Sequence, residues 1–485
     1  MVGRSEERLT SSGEAIPHFV GGHEMRVGDI QSVEDPATGD VVGSAYLADA
    51  ALIDRAVSAA RVCCETRGLT RLSPFERAAL MRRIAEAIRA VAEDDTPLLS
   101  LESGKPLSAA RDEYAEAALY FDYYAGLADK LEGVSIPLGD GYVDYTIREP
   151  YGVSAQIVPW NFPVSIAARG IAPALAAGNA VVVKAPELDP LALLRLGLAF
   201  RAAGLPEGAV SIVNGLGTVA GAALAAHPGV DQIVFTGSVP TGQAILRAAA
   251  ETIVPCVMEL GGKSAGLVMA DADAEAVLGS VVTGTFYNAG QTCSALTRLL
   301  VHRSRYEEIV EGVARRVDSM SVGAAEGGAE VTPLISAAQR DKVASLIDRA
   351  IEEGARRVAG DRPVPQRGHF IAPTVLADVA PGSEIERAEV FGPVLSITPF
   401  DEEDEAVAIA NGGYYGLVAG VFTTDLATAL RLPPRLHAGQ VFVNEWFAGG
   451  VSTPFGGVRR SGYGREKGIE GLFNYLRTKN VAIRL

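Results

Sequence analysis

Residues 151–187 read YGVSAQIVPWNFPVSIAARGIAPALAAGNAVVVKAPE, and their pattern decides the fold. Val153–Val158 is an apolar run of strand length, and Ala180–Lys184 is a second. Between them Ile166–Ala177 is rich in Ala and Ile and has the length of a helix. A strand, a helix and a strand in such close order form one unit of a parallel sheet covered on both faces. The window Val164 to Val183 is also the most apolar in the chain. Arg169, Gly170, Pro173, Gly178 and Asn179 interrupt it, so it does not read as a membrane span.

Downstream the pattern repeats. Val210–Val213, Gln232–Phe235 and Ala265–Met269 read as strands, and Leu188–Ala203, Thr218–Ala226 and Thr241–Ala250 as the helices between them. Open parallel sheets bind ligands beyond the carboxyl ends of their strands. A second α/β region runs from Asp273 to about Ser461. Its helices are Ala274–Asn288, Arg305–Ser319 and Ala337–Gly354, and its strands Arg298–His302, Val394–Pro399 and Gln440–Asn444. The acidic run Asp401–Glu405 reads as a solvated helix start.

Upstream, Gly139-Asp140-Gly141 separates Val134–Ile136 from Tyr142–Ile147, a hairpin signal, and Asn480–Leu485 reads as a strand able to join it. Helices are expected over Asp49–Arg67, Ser73–Ala92 and Ser108–Gly126. The second opens on Ser73 as cap, Pro74 in the first turn and Glu76 three residues on. Residues 1–35 read as a loosely held arm, with no apolar run of the kind a signal peptide requires.

The totals exclude several functions. A chain of 485 residues divides into two or three domains. Its net charge of −16 argues against general binding of nucleic acid or anionic lipid. Four cysteines in such a length make no disulfide framework, and a reducing, cytoplasmic setting fits them. The six histidines have no metal-ligand spacing with carboxylates or cysteines, so no metal is expected.

The chemistry gathers at strand ends. Pro159-Trp160-Asn161-Phe162-Pro163 follows one strand, and Asn161 there offers an amide N–H to a developing oxyanion, or serves a rigid turn. Lys184 and Glu187 follow another: the carboxylate could take ribose hydroxyls, or both could be loop charges. Phe235-Thr236-Gly237-Ser238 joins a strand to a helix and so presents N–H groups to a phosphate. Thirty-four positions separate Glu259, in Met258-Glu259-Leu260-Gly261-Gly262-Lys263-Ser264, from Cys293, which ends Gly290-Gln291-Thr292-Cys293. A thiolate captures carbonyl carbon and a carboxylate can activate the water that releases it, or the pair is a buried structural cysteine and a surface glutamate.

Taken together these segments resemble the aldehyde dehydrogenase superfamily over essentially the whole chain. The blocks are Pro-Trp-Asn-Phe-Pro at 159–163, Glu-Leu-Gly-Gly-Lys-Ser at 259–264 and Gly-Gln-Thr-Cys at 290–293, with Glu-Val-Phe-Gly-Pro at 389–393 and Pro-Phe-Gly-Gly at 454–457. The resemblance implies a Rossmann-type cofactor domain (1–130 and 151–260), an α/β catalytic domain (261–460), and a bridging β element (131–150 and 461–485) that makes a homodimer or homotetramer. It implies Cys293 as nucleophile and Asn161, with the Cys293 N–H, as oxyanion hole. Glu259 matches the general base and Glu466 a carboxylate proposed to relay its proton. Lys184 and Glu187 match the adenosine-ribose contacts, Gly237 and Ser238 the pyrophosphate turn, with Trp160 alongside. Glu389 and Phe391 match contacts to the nicotinamide ribose and ring.

Two departures are visible. Lys184-Ala185-Pro186-Glu187 replaces the usual Lys-Pro-x-Glu, and Val239-Pro240-Thr241-Gly242 replaces a Thr-x-x-Gly continuation. The implied reaction converts a small-molecule aldehyde to its acid with NAD, NADP being the alternative. A carboxylate at 187 repels a 2′-phosphate, and a base at 259 favours hydrolysis over transfer to coenzyme A. The rival readings are a structural protein on the same fold and a cysteine acyltransferase or esterase that needs no dinucleotide. For substrate, Arg169 occupies the position where several semialdehyde enzymes bind an ω-carboxylate, and it could equally pair with a scaffold carboxylate. Tyr287 stands where succinic-semialdehyde enzymes often have a second Arg. Phe162, Trp446 and Phe447 would give the entrance tunnel aromatic walls.

Overall fold

The computed structural model describes residues 14–485. The first sheet has eight strands, ordered Gly462–Tyr463, Cys256–Leu260, Gln232–Gly237, Val153–Ile157, Ala180–Ala185, Val210–Asn214, His18–Val20 and His23–Met25. The five central strands are parallel and the flanking ones antiparallel. Val153–Ile157 therefore has its next strand in sequence on one side and Gln232–Gly237, reached after the chain turns back, on the other. That reversal opens a crevice at the carboxyl ends of these two strands. The turn at 159–163 and residues 236–238 both lie at it.

Part of the expected arm, residues 1–13, lies outside the described residues. The remainder is not an arm. His18–Val20 and His23–Met25 form a hairpin on the sheet's edge, and Phe19 is buried opposite Ile212. Gly197 makes this possible: a Cβ there would sit 2.4 Å from the Phe19 ring. The second expected helix extends to Ser103, past Pro97, because Leu98 and Leu99 are buried in the core and Asp95 binds Arg195 at 2.6 Å. Its start is as expected, with Ser73 and Glu76 each bonding the other's backbone N–H. Gly104, in the left-handed region at φ 72°, ends it.

The second sheet has seven strands, ordered Arg356–Ala359, Thr374–Ala377, Val394–Phe400, Leu296–His302, Ser264–Val268, Val418–Phe422 and Gln440–Val443. It corrects one reading: the strand expected at Ala265–Met269 belongs here, between Leu296–His302 and Val418–Phe422, not to the first sheet. The strand that closes the parallel part of the first sheet is Cys256–Leu260, which the sequence reading passed over because Glu259 interrupts a short run. The chain crosses between sheets at Gly261–Lys263. A side chain at Gly261 would run into Glu389, and one at Gly262 into the Cys293 carbonyl.

Tyr142–Pro150 pairs antiparallel with Leu476–Arg484 along nine residues. The expected hairpin contracts to one bridge, Ser135 to Tyr145, so the C-terminal strand is the main partner. Tyr142, Val143, Tyr145, Ile147 and Ile483 of this ribbon are exposed. No helix of the described residues is long and apolar enough to cross a membrane.

Candidate active site

The Cys293 loop is built from unusual backbone. Asn288, Ala289 and Gly290 have φ of 51°, 52° and 72° in succession. At Gly290 only glycine fits, since a Cβ would sit 2.2 Å from the Gly392 carbonyl oxygen. The Ile335 N–H donates to Gln291 Oε1 at 2.9 Å and pins the next residue. Cys293 follows, half-buried. Burial pushes its thiol up to about 11, with Arg169 pulling the other way and Glu389 and Glu259 adding to the rise.

Asn161 reaches this loop from the first domain. It is buried, and its Nδ2 donates to the Gln291 carbonyl at 3.0 Å. That bond fixes which end of the amide faces the loop, and one N–H of the NH₂ is left over. The Asn161 main-chain carbonyl accepts from Asn288 Nδ2 at 3.1 Å and from Lys105 Nζ at 2.9 Å.

Glu259 lies on the strand Cys256–Leu260, opposite Gly462. It is buried, and neither carboxylate oxygen has a hydrogen-bond partner among the described residues. Burial and the charge of Glu466 hold its carboxyl well above the usual range, while Arg169 and Arg465 pull it down. The room for it comes from Gly456, where a Cβ would lie 2.6 Å from Glu259 Oε1. Glu466 is buried as well, but it forms an ion pair with Arg169. The Arg169 guanidinium also lies 5.5 Å from the centre of the Phe455 ring. Of the two partners left open for Arg169, the structure supplies the scaffold carboxylate.

A cleft of about 200 Å³ joins eight of the expected residues: Trp160, Asn161, Gly237, Ser238, Glu259, Cys293, Glu389 and Phe391. The Trp160 and Phe391 rings meet edge to face at 5.1 Å, and Gln339 Nε2 holds the Phe391 carbonyl at 2.7 Å. Glu389 accepts the Gly262 N–H at 3.0 Å, and burial pushes its carboxyl up to about 7. Ser238 caps the helix Val239–Thr252, so Pro240 falls in the first turn, where its missing N–H costs nothing. Gly237 packs on Phe235, with 2.5 Å between a Cβ and the ring, which keeps this turn against the sheet. Lys184 and Glu187 stand at the end of the strand Ala180–Ala185, on the other side of Val153–Ile157 and outside the cleft lining, and pair with each other. Burial works against ionised Glu187, but Lys184 and the Gly217 N–H hold its carboxyl below the usual range. N–H groups at a strand-to-helix turn, a carboxylate beyond a neighbouring strand and an aromatic pair are features that suit a dinucleotide.

Phe162 stacks on Tyr287 at 5.9 Å, and Tyr287 meets Phe447 at 6.2 Å, so two of the three expected wall residues come together through Tyr287. Trp446 is elsewhere. Its indole is buried in the second domain's core against Phe442, Gly284 and Gly420, and its N–H donates to the Ser294 carbonyl at 3.0 Å. It braces the Cys293 loop from behind rather than walling a tunnel. Lys105, Asn288 and Gly456 were passed over in the sequence reading. Gly456 lies inside the quoted Pro-Phe-Gly-Gly block, but neither Lys105 nor Asn288 carried a signal of its own. Among the described residues no group of three or more His, Cys, Asp or Glu could hold a metal.

A family model described as the aldehyde dehydrogenase family matches residues 25–481. A betaine aldehyde dehydrogenase of Cereibacter sphaeroides is 41% identical over 474 residues, covering 97% of each chain. The crystal structure of a putative aldehyde dehydrogenase from Burkholderia cenocepacia superposes with a TM-score of 0.94 at 44% identity, covering 96% of this chain and 99% of that one. The NAD⁺ complex of an aldehyde dehydrogenase from Bacillus cereus gives 0.96 at 37% identity, covering 100% and 99%.

Proposed function

The chain belongs to the aldehyde dehydrogenase family and is an NAD-dependent enzyme of it, and on that premise we propose that it oxidises its aldehyde through Cys293 and Glu259. The Cys293 thiol gives its proton to solvent, and the thiolate attacks the carbonyl carbon to form a thiohemiacetal. Its oxygen takes up the negative charge and meets the spare N–H of Asn161 and the Cys293 N–H; losing one such donor costs roughly 10²–10³ in rate. When bound, NAD supplies the acceptor for the hydride that leaves this carbon, and Cys293 is left as a thioester. Glu259 then takes a proton from water, whose oxygen attacks the thioester carbon and releases the acid.

The observation that carries this reading is the orphaned carboxylate of Glu259, buried in the same cleft as the sulfur. A buried group with a raised pKa and no structural partner is suited to moving a proton near neutral pH. Trp160, Phe391 and Glu389 are the residues we assign to the nicotinamide end of the cofactor. Gly237 and Ser238 would take its phosphates, and Lys184 and Glu187 its adenosine ribose.

For substrate, the three rings of Phe162, Tyr287 and Phe447 favour an aldehyde with an apolar, aromatic or cationic body. The engagement of Arg169 by Glu466 weighs against an ω-carboxylate. A panel of aliphatic, benzylic, quaternary-ammonium, succinic and glutaric aldehydes with NAD tests this. Arg169→Ala is expected to leave the ranking of carboxylated against neutral members unchanged, and a selective loss on the carboxylated ones would restore the semialdehyde reading. The exposed ribbon of Tyr142–Pro150 and Leu476–Arg484 is our candidate for the homo-oligomer contact.

A further inference from the structure

Lys105 follows the helix Pro74–Ser103 and lies outside the five sequence blocks quoted above. Its side chain is 1% exposed, and its ammonium, which also faces the buried Glu102 and Asp189, makes its direct contacts with Glu113 and the turn at 159–163. It forms an ion pair with Glu113, donates to the Asn161 carbonyl at 2.9 Å, and stands 4.9 Å from the centre of the Phe162 ring. Glu113 in turn accepts the Ser165 N–H at 3.2 Å, in the first turn of the helix Pro163–Ala177. The pair thus grips both ends of the segment that carries Asn161. A buried ion pair is a weak source of stability, because desolvation offsets most of its attraction. What it does supply is fixed geometry.

Asn161 is held from two domains. Asn288, from the Cys293 loop, binds its carbonyl on one side and Lys105 on the other. We propose that Lys105 is a positioning residue for the oxidation step: through the Asn161 carbonyl it fixes where the Asn161 amide stands as charge develops on the captured oxygen. This rests on the oxyanion role given to Asn161 above. An oxyanion donor displaced by about 1 Å can cost on the order of 10²-fold.

The test compares the pre-steady-state burst of NADH in the full-length enzyme across two backgrounds. Lys105→Met is combined with Glu113→Gln, so that the carboxylate paired directly with the ammonium is not left buried and charged. In wild type the double substitution is expected to slow the burst roughly 10- to 10²-fold with NADH affinity unchanged. In an Asn161→Ala background it is expected to slow it less than about twofold further, since residues acting as a unit are not additive. The same fold-loss in both backgrounds, an unchanged burst in wild type, or a parallel loss of NADH binding would overturn the proposal. If the double variant does not fold, Lys105→Gln with Glu113→Gln keeps a neutral donor and is judged by the same comparison of backgrounds. Asn161→Ala alone tests the underlying reading: a full burst in that variant removes the oxyanion role itself.

Discussion

Glu259 and Glu466 are two buried glutamates, one on the strand Cys256–Leu260 and one just beyond the short strand paired with it, and they differ in company. Glu466 has Arg169, whereas Glu259 has no hydrogen-bond partner on either oxygen. Burial raises both carboxyls and the charge of Arg169 offsets part of the rise in each, but only Glu466 has it as a direct ion-pair partner. The partnered acid keeps its geometry, and the orphan keeps its freedom to take a proton. Cys293 and Glu259 form the uncompensated side of the site. Arg169–Glu466 and Lys184–Glu187 form the compensated side.

If that division is the right one, substitutions on the uncompensated side should damage chemistry most. Cys293→Ala should reduce aldehyde oxidation to background while NADH still binds in a fluorescence titration. Residual turnover near the wild-type level would remove the sulfur from the reaction. Glu259→Gln should retain the burst of NADH yet lower steady-state turnover by roughly 10²–10⁴, the usual worth of a general base. Loss of the burst along with turnover would place Glu259 in the oxidation step instead.

On the compensated side the expected effects are shifts rather than losses. Glu466 helps hold the Glu259 carboxyl high, so Glu466→Gln should lower the pKa of Glu259. The base is then ionised at lower pH, and the acid limb of the thioester-hydrolysis profile should move down. A limb that stays in place, or moves up, would mean that Glu466 does not act on Glu259 through its charge. The smallest change is expected at Glu187, which is partly exposed and paired. Glu187→Gln should weaken the preference for NAD over NADP by roughly two- to fivefold, as befits one partly exposed charge contact. No change in the ratio of kcat/KM values would take Glu187 out of cofactor choice.

Much of this was legible in the chain because its signals are local. The strand–helix–strand pattern over 151–187 gave the parallel sheet, and the Ser73, Pro74 and Glu76 cap gave a helix start. The strand Cys256–Leu260 was not legible, because its one charged residue is tolerated only where Gly456 leaves a space nearly two hundred positions away. The helix Pro74–Ser103 was cut short for a related reason, since Pro97 reads as a stop until Leu98 and Leu99 are seen to be buried. Trp446 misled for its type: an aromatic near the reactive loop can line a tunnel or brace the loop, and only the Ser294 carbonyl decides.

By itself the sequence determined the alternation of strands and helices and the family blocks, and it singled out the sulfur and the carboxylate that we propose react. These depend on residue type and short spacing, which a linear chain displays in full. Only the tertiary structure decided which charges meet a direct partner: Arg169 meets Glu466, Lys105 meets Glu113, and the Glu259 carboxylate has no hydrogen-bond partner among the described residues. Whether a buried charge is compensated depends on which distant segments meet it in a water-poor interior, where a missing partner cannot be replaced by solvent.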